Sequence, residues 1–217
     1  MKTLTIITFA FILIVFSSVN MQCQDLNENT ELDKKVKNFL DKKSGRWYDM
    51  NVPKQDGKLL YDIIIKNNYK SALEIGTSTG HSSIWIAWAL SKTGGKLITI
   101  DIDESRRKEA LQNIKEAGLE KYIDSRLADA HDLVKKLPGP FDFVFSDADK
   151  DWYKNYFIAI DPKLVVNGCY TSHNVSEKRH SNTPASYLEF LKKLPNYKTT
   201  VNEEGGGMSI SYKVGNK

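Results

Sequence analysis

Residues 141–151 read FDFVFSDADKD. The first half, Phe141 to Phe145, is a short apolar run without a helical stripe, and it reads as a buried strand. The second half places Asp147, Asp149 and Lys150 where that strand ends. Two carboxylates and an amine at the carboxyl end of a buried strand are costly, because charges want water. In open α/β sheets that edge is where ligands sit. The run therefore predicts a buried sheet with a site on its rim.

Working outward, apolar strand candidates lie at 71–75, 96–101, 122–127, 141–146 and 164–171. Helical patterns fill the gaps at 81–92, 104–117, 129–136 and 151–161. This alternation predicts a parallel sheet covered on both faces. Two last strands, about 197–203 and 207–213, flank Glu204 and the run Gly205 to Gly207, which reads as a hairpin and hence an antiparallel edge. A helix is expected over 185–193. Ahead of the first strand, Leu32, Val36, Phe39 and Leu40 predict an amphipathic helix over 31–43, and Leu59, Leu60, Ile63 and Ile64 predict another after Pro53. The fold class is α/β: a Rossmann-like three-layer α/β/α sandwich with a mostly parallel seven-stranded sheet, an antiparallel C-terminal hairpin strand and added N-terminal helices.

The chain has 217 residues, 41% of them hydrophobic, enough for one domain with a real core. Its formal net charge is only +4, with basic and acidic residues interleaved. No basic stripe is present, which argues against a nucleic-acid partner. Residues 1–23 have another texture: Lys2 is followed by an uncharged apolar run from Leu4 to Val19. This is the layout of a secretory signal peptide, with an uncleaved membrane anchor as the alternative. At about 24 Å the run falls short of a roughly 30 Å hydrocarbon core. An exported protein follows, touching a membrane only if the leader is kept. Residues 24–30 read as a linker and 31–217 as the functional domain. Without the leader only Cys169 remains, so no intramolecular disulfide supports the fold.

The strand over 71–75 runs into LEIGTSTGHSS, Leu73 to Ser83. Gly76 and Gly80 bracket a loop that leads into a helix, and glycine lets such a backbone turn sharply and approach a ligand. The spacing is not the G-x-G-x-x-G that seats a pyrophosphate. Glu74 suits a cationic group better than a phosphate. LITIDID, Leu97 to Asp103, ends the next strand with Asp101, 25 residues after Gly76, a position from which a carboxylate can hold ribose hydroxyls. Asp101 or Asp103 is alternatively a helix cap; Asp103 suits the cap better, which leaves Asp101 for a ligand. Loop and carboxylate together point to S-adenosylmethionine (SAM) rather than to NAD or ATP.

From about Met50 to the C-terminus the chain resembles the cation-dependent O-methyltransferases, the catechol and caffeoyl-CoA methyltransferase family. LEIGTSTGHSS, LITIDID and IKEAGLEKYIDSRLADA (residues 114–130) match in order; SDADKDWYKNY (146–156) is the most specific match and GCYTSHNV (168–175) the weakest. The resemblance implies that Glu74, Gly76 and Ser82 hold the methionine end of SAM, Asp101 the ribose and Ala130 the adenine, with Asp149 also on the cofactor side. It implies Asp147 and Asn174 as ligands of a divalent cation, and Lys150 as the general base beside the acceptor hydroxyl. A bound cation would acidify that hydroxyl and fix it in line with the sulfonium methyl. Lysine titrates near 10.4 when free, so a base role asks for burial or nearby positive charge. The implied acceptor is a small hydroxylated molecule, and the implied assembly a homodimer.

Two departures stand out. The family usually presents Asp-Asn after the fifth strand; this chain has His173-Asn174. The loss of one carboxylate disfavours magnesium, while imidazole suits transition metals. Either another cation binds with His173 as a ligand, or the site works without a cation and His173 assists as base, or the site is catalytically dead. Val52 also stands where the family often offers a hydroxyl to SAM. The leading function is SAM-dependent O-methyl transfer; the alternative is an exported, non-catalytic ligand-binding protein on the same fold. Trp85 and Trp88 read as core, as do Tyr153, Tyr156, Phe157 and Ile160 on one helix face. His131 and His180 have no evident partner in the sequence, and the polar stretch 175–184 reads as a surface loop.

Overall fold

The computed structural model describes residues 26–47, 50–178 and 182–216; the expected leader, His180 and part of the polar loop lie outside these. Two helices come first. Helix α1 (Thr30–Lys42) starts where the Asn29 side chain accepts the Leu32 N–H at 3.0 Å, and α2 (Lys54–Asn67) follows Pro53. The alternating part then runs β1 (Ser71–Ile75), α3 (His81–Thr93), β2 (Lys96–Asp101), α4 (Glu104–Ala117), β3 (Ile123–Leu127), α5 (Ala130–Lys136), β4 (Phe141–Ser146), α6 (Tyr153–Ile160) and β5 (Leu164–His173). Helix α7 (Asn182–Lys192) precedes the hairpin of β6 (Tyr197–Asn202) and β7 (Met208–Lys213). No helix among the described residues is long and apolar enough to cross a membrane.

All seven strands join one sheet in the order β3-β2-β1-β4-β5-β7-β6. The first five pair in parallel; β7 runs antiparallel to β5 and to β6, so the hairpin turns back and its second strand docks first. The pleat sends alternate side chains to opposite faces. Phe143 and Phe145 of β4 join Leu60, Ile64 and Ile86 of α2 and α3, whereas Val144 between them joins Tyr153, Phe157 and Leu188 of α6 and α7. Helix α3 is buried along its whole length, since α1, α2 and α4 pack over the side that the sheet leaves open. That explains its lack of a polar face. Trp85 and Trp88 are core, as expected.

The element boundaries follow from capping chemistry. Asp103 caps α4, its carboxylate accepting the Ser105 and Arg106 N–H groups, and Gly118 ends that helix with φ +78°. Several boundaries shift from the sequence expectation, among them α7, which starts at Asn182 rather than 185, and two of the shifts bear on the site. Strand β5 extends two residues further, because Ser172 and His173 pair with Ser209 and Met208 of β7. A short 3-10 turn at Lys150–Trp152 precedes α6, which begins at Tyr153 rather than 151.

Candidate active site

The strand order grows outward from β1 to one side and from β4 to the other, so the loops leaving these two strands part company there. Such a switch point leaves a crevice at the carboxyl ends. A cavity of about 530 Å³ lies there. Of the residues singled out in the sequence, Gly76, Ser82, Asp101, Ala130, Asp147, Asp149 and Lys150 all line it.

Register brings them together. Ile75 pairs with Ile100 on one side and Ser146 on the other, so Gly76, Asp101 and Asp147 emerge side by side. The Gly76 N–H donates to the Ile100 carbonyl at 2.9 Å, and the Asp147 N–H to the Ile75 carbonyl at 2.8 Å. Gly76 has φ +100°, and a Cβ there would stand 2.8 Å from the Asp147 carbonyl oxygen. Only glycine lets the two loops approach this closely.

Asp101 is fixed by its neighbours. One carboxylate oxygen accepts the Ser78 N–H at 2.7 Å and the other the Asp103 N–H at 2.9 Å. An ionised carboxylate has about four lone-pair sites, so acceptor capacity remains for a ligand.

Glu74 lies fully buried on β1. Its Oε2 accepts from the Ser83 hydroxyl and, at 2.6 Å, from the Thr99 hydroxyl, whereas Oε1 has no partner. Burial pushes its pKa up to about 7 despite the hydroxyls of Ser82, Ser83 and Thr99, and the nearby Asp147 charge adds to the rise. Glu74 is not among the residues that line the cavity but lies buried behind them, with one oxygen unpaired.

Two features of the walls escaped the sequence reading. His131, at the start of α5, meets Asp149 through Nε2 at 2.9 Å and stacks on Trp152 with ring centroids 3.8 Å apart. It thereby joins the β3–α5 and β4–α6 loops, and both His131 and Asp149 face the cavity. Asn51 lines the cavity as well, its amide donating to the Thr79 hydroxyl at 2.8 Å. It supplies polar character beside Val52, which is itself buried in the core. His81 pins this stretch: Nδ1 donates to the Val52 carbonyl at 2.8 Å and Nε2 accepts from the Trp85 indole at 3.1 Å. Burial pulls its pKa down to about 4, so it stays neutral and structural.

The remaining candidates depart from expectation. Lys150 is exposed on the rim, without the burial that a lysine base asks for. His173 and Asn174 are not among the residues that line the cavity. Instead His173 is buried between two carboxylates, with Nε2 2.8 Å from Asp56 and Nδ1 3.2 Å from Asp147. Burial alone would lower its pKa, but the hydrogen bonds and charges of Asp147 and Asp56 outweigh it and raise the value to about 9. Each ring nitrogen thus faces a carboxylate oxygen. Asn174 follows with a left-handed backbone, φ +55°. Asp147 and His173 thus meet each other directly, and the described residues hold no cluster of three His, Cys, Asp or Glu fit for a metal. Asp56 lies 117 residues from His173 in sequence and carried no local signal.

Comparison with known proteins agrees with this geometry. A family model for O-methyltransferases matches residues 24–175. A catechol O-methyltransferase of Niastella koreensis is 39% identical over 112 residues, covering 50% of this chain and 50% of that protein. A caffeoyl-CoA O-methyltransferase of Medicago sativa is 35% identical over 128 residues, covering 56% and 51%. The chain thus spans about half the length of the curated relatives it matches. Among solved structures, the O-methyltransferase TomG of Streptomyces achromogenes in complex with SAM superposes with a TM-score of 0.70 at 24% identity, covering 88% of this chain and 92% of that one. An O-methyltransferase of Bacillus cereus in complex with SAH, the demethylated product of SAM, gives 0.69 at 24%, covering 86% and 92%. At that identity the likeness speaks for the fold.

Proposed function

The chain belongs to the O-methyltransferase family, whose model matches residues 24–175, and from that premise we propose that it transfers a methyl group from SAM to a hydroxyl of a small acceptor. One observation carries the reading: Gly76, Asp101 and Asp149, from three separate strand ends, line one cavity at the switch point of the sheet.

The residues present fit SAM. The orphaned Oε1 of Glu74 suits the cationic methionine end, beside Ser82 and the close backbone at Gly76. Asp101, preset by two backbone N–H groups, accepts the ribose hydroxyls. Ala130 leaves room for the adenine, and Asp149, held by His131, completes that side. When bound, SAM supplies a methyl group activated by its sulfonium. The chain's part is to hold both reactants in line and to keep water out. In this reading Lys150, exposed on the rim, takes the proton from the acceptor hydroxyl, and a docked acceptor would supply the cover that it lacks.

Calorimetric titration with SAM and SAH tests the cofactor. Binding by the native chain is expected, and Asp101→Ala should weaken it by about tenfold to a hundredfold, the worth of hydrogen bonds to a charged group. Absence of binding by the native chain would remove the reading. Lys150→Ala should lower turnover on the order of a hundredfold while leaving SAH affinity intact. SAH binding with no turnover on any phenol, catechol or hydroxy acid would leave a ligand-binding protein instead.

A further inference from the structure

The misfit between His173 and a cation site has its own logic. Asp56, in the first turn of α2, and Asp147, after β4, have side chains only 2% and 13% exposed. Both carboxylates reach the same imidazole, Asp56 on one nitrogen and Asp147 on the other, and a positive charge between them offsets theirs. The His173 ring fills that place and spends both nitrogens there. The Gly206 N–H also donates to Asp56 Oδ2 at 2.8 Å, which ties the hairpin turn to the pair. The turn from Gly205 to Gly207 closes over the pair: a Cβ on Gly205 would run into the Asp56 carboxylate, and one on Gly206 into the His173 ring. The space is occupied by protein.

We propose that His173 stands in for the divalent cation, so that this site takes no metal and holds its acceptor without chelation. The proposal rests on the methyl-transfer reading for its second half only. A cation grips two neighbouring oxygens of a diol; with a histidine in its place, nothing in the site requires the second oxygen. The acceptor class is then a molecule with a single reacting hydroxyl. His173 is a positioning residue, acting through Asp147, which faces the cavity.

Calorimetry of the full chain with Mg²⁺ and Mn²⁺, with and without SAH, decides the first half. No saturable binding is expected. Saturable binding by the native chain that disappears in Asp147→Asn would overturn the proposal. His173→Asp should recreate a cation site: melting at lower temperature than the native chain, and rising by about 3 °C or more with Mg²⁺ while the native chain does not respond. Should His173→Asp fail to fold, His173→Asn provides the same test with one charge fewer. A cation response in neither variant would also count against the ring occupying the cation's place. In the presence of chelator, a phenol with one hydroxyl should turn over comparably to the matching catechol; strict need for the adjacent pair would overturn the acceptor half. SAH binding is read separately, so failure of the cofactor reading is distinguishable from failure here.

Discussion

Glu74 is a carboxylate that folding alone disfavours. Its unfolded pKa is 4.5 and its folded value about 7, so between these pH values the folded chain holds more protons than the unfolded one. By linkage, this group's contribution to stability is fully present below about pH 4.5 and is lost as pH rises through about 7. Urea unfolding at pH 5 and pH 8 should therefore show the native chain losing more stability than Glu74→Gln, by on the order of 2 kcal/mol. An equal loss in both would show that Glu74 is not the titrating group. In the sequence Glu74 stands out because a carboxylate beside the glycine loop suits a cationic group better than a phosphate. The sequence likewise separated Asp101 from the capping Asp103, since a cap must sit immediately ahead of its helix. It left His131 without a partner, because Asp149 and Trp152 reach it only across the sheet edge.

The hairpin of β6 and β7 does more than close the sheet. Its glycine turn is a lid on the Asp56–His173 pair, and the absence of side chains there is a matter of space as well as backbone conformation. Gly206→Ala should destabilise the fold by about 1–3 kcal/mol, as overpacking does, whereas Gly215→Ala, whose Cβ would meet nothing within 4 Å, should be close to neutral in the same urea titrations. Similar costs for both would show that the turn is not packed as described. The glycine run reads as a hairpin connection, and β6 and β7 pair antiparallel on either side of it. What lay under the turn was invisible, because β5 reaches His173 only through its pairing with Met208 of β7.

The domain as a unit links these parts, since the cavity is walled by loops that follow β1, β2, β3 and β4 together. A ligand that bridges four loops of one cooperative unit stabilises all of it. SAH at about a hundred times its Kd should add about 2.7 kcal/mol and raise the melting temperature by several degrees, and Asp101→Ala should abolish most of that shift. No shift in the native chain would mean that the cavity does not hold this nucleoside. The alternation of strands and helices, the two N-terminal helices, the hairpin and the strand-end residues Gly76, Asp101, Asp147 and Asp149 are legible along the chain, because periodicity, glycine spacing and stranded charges are local signals. It takes packing in three dimensions to bring Asp56 from α2 and Asp147 to His173, to let His131 hold Asp149, and to dock β7 on β5 ahead of β6. Those outcomes depend on which surfaces pack against one another, and such contacts, 117 positions apart for Asp56 and His173, leave no pattern along the chain.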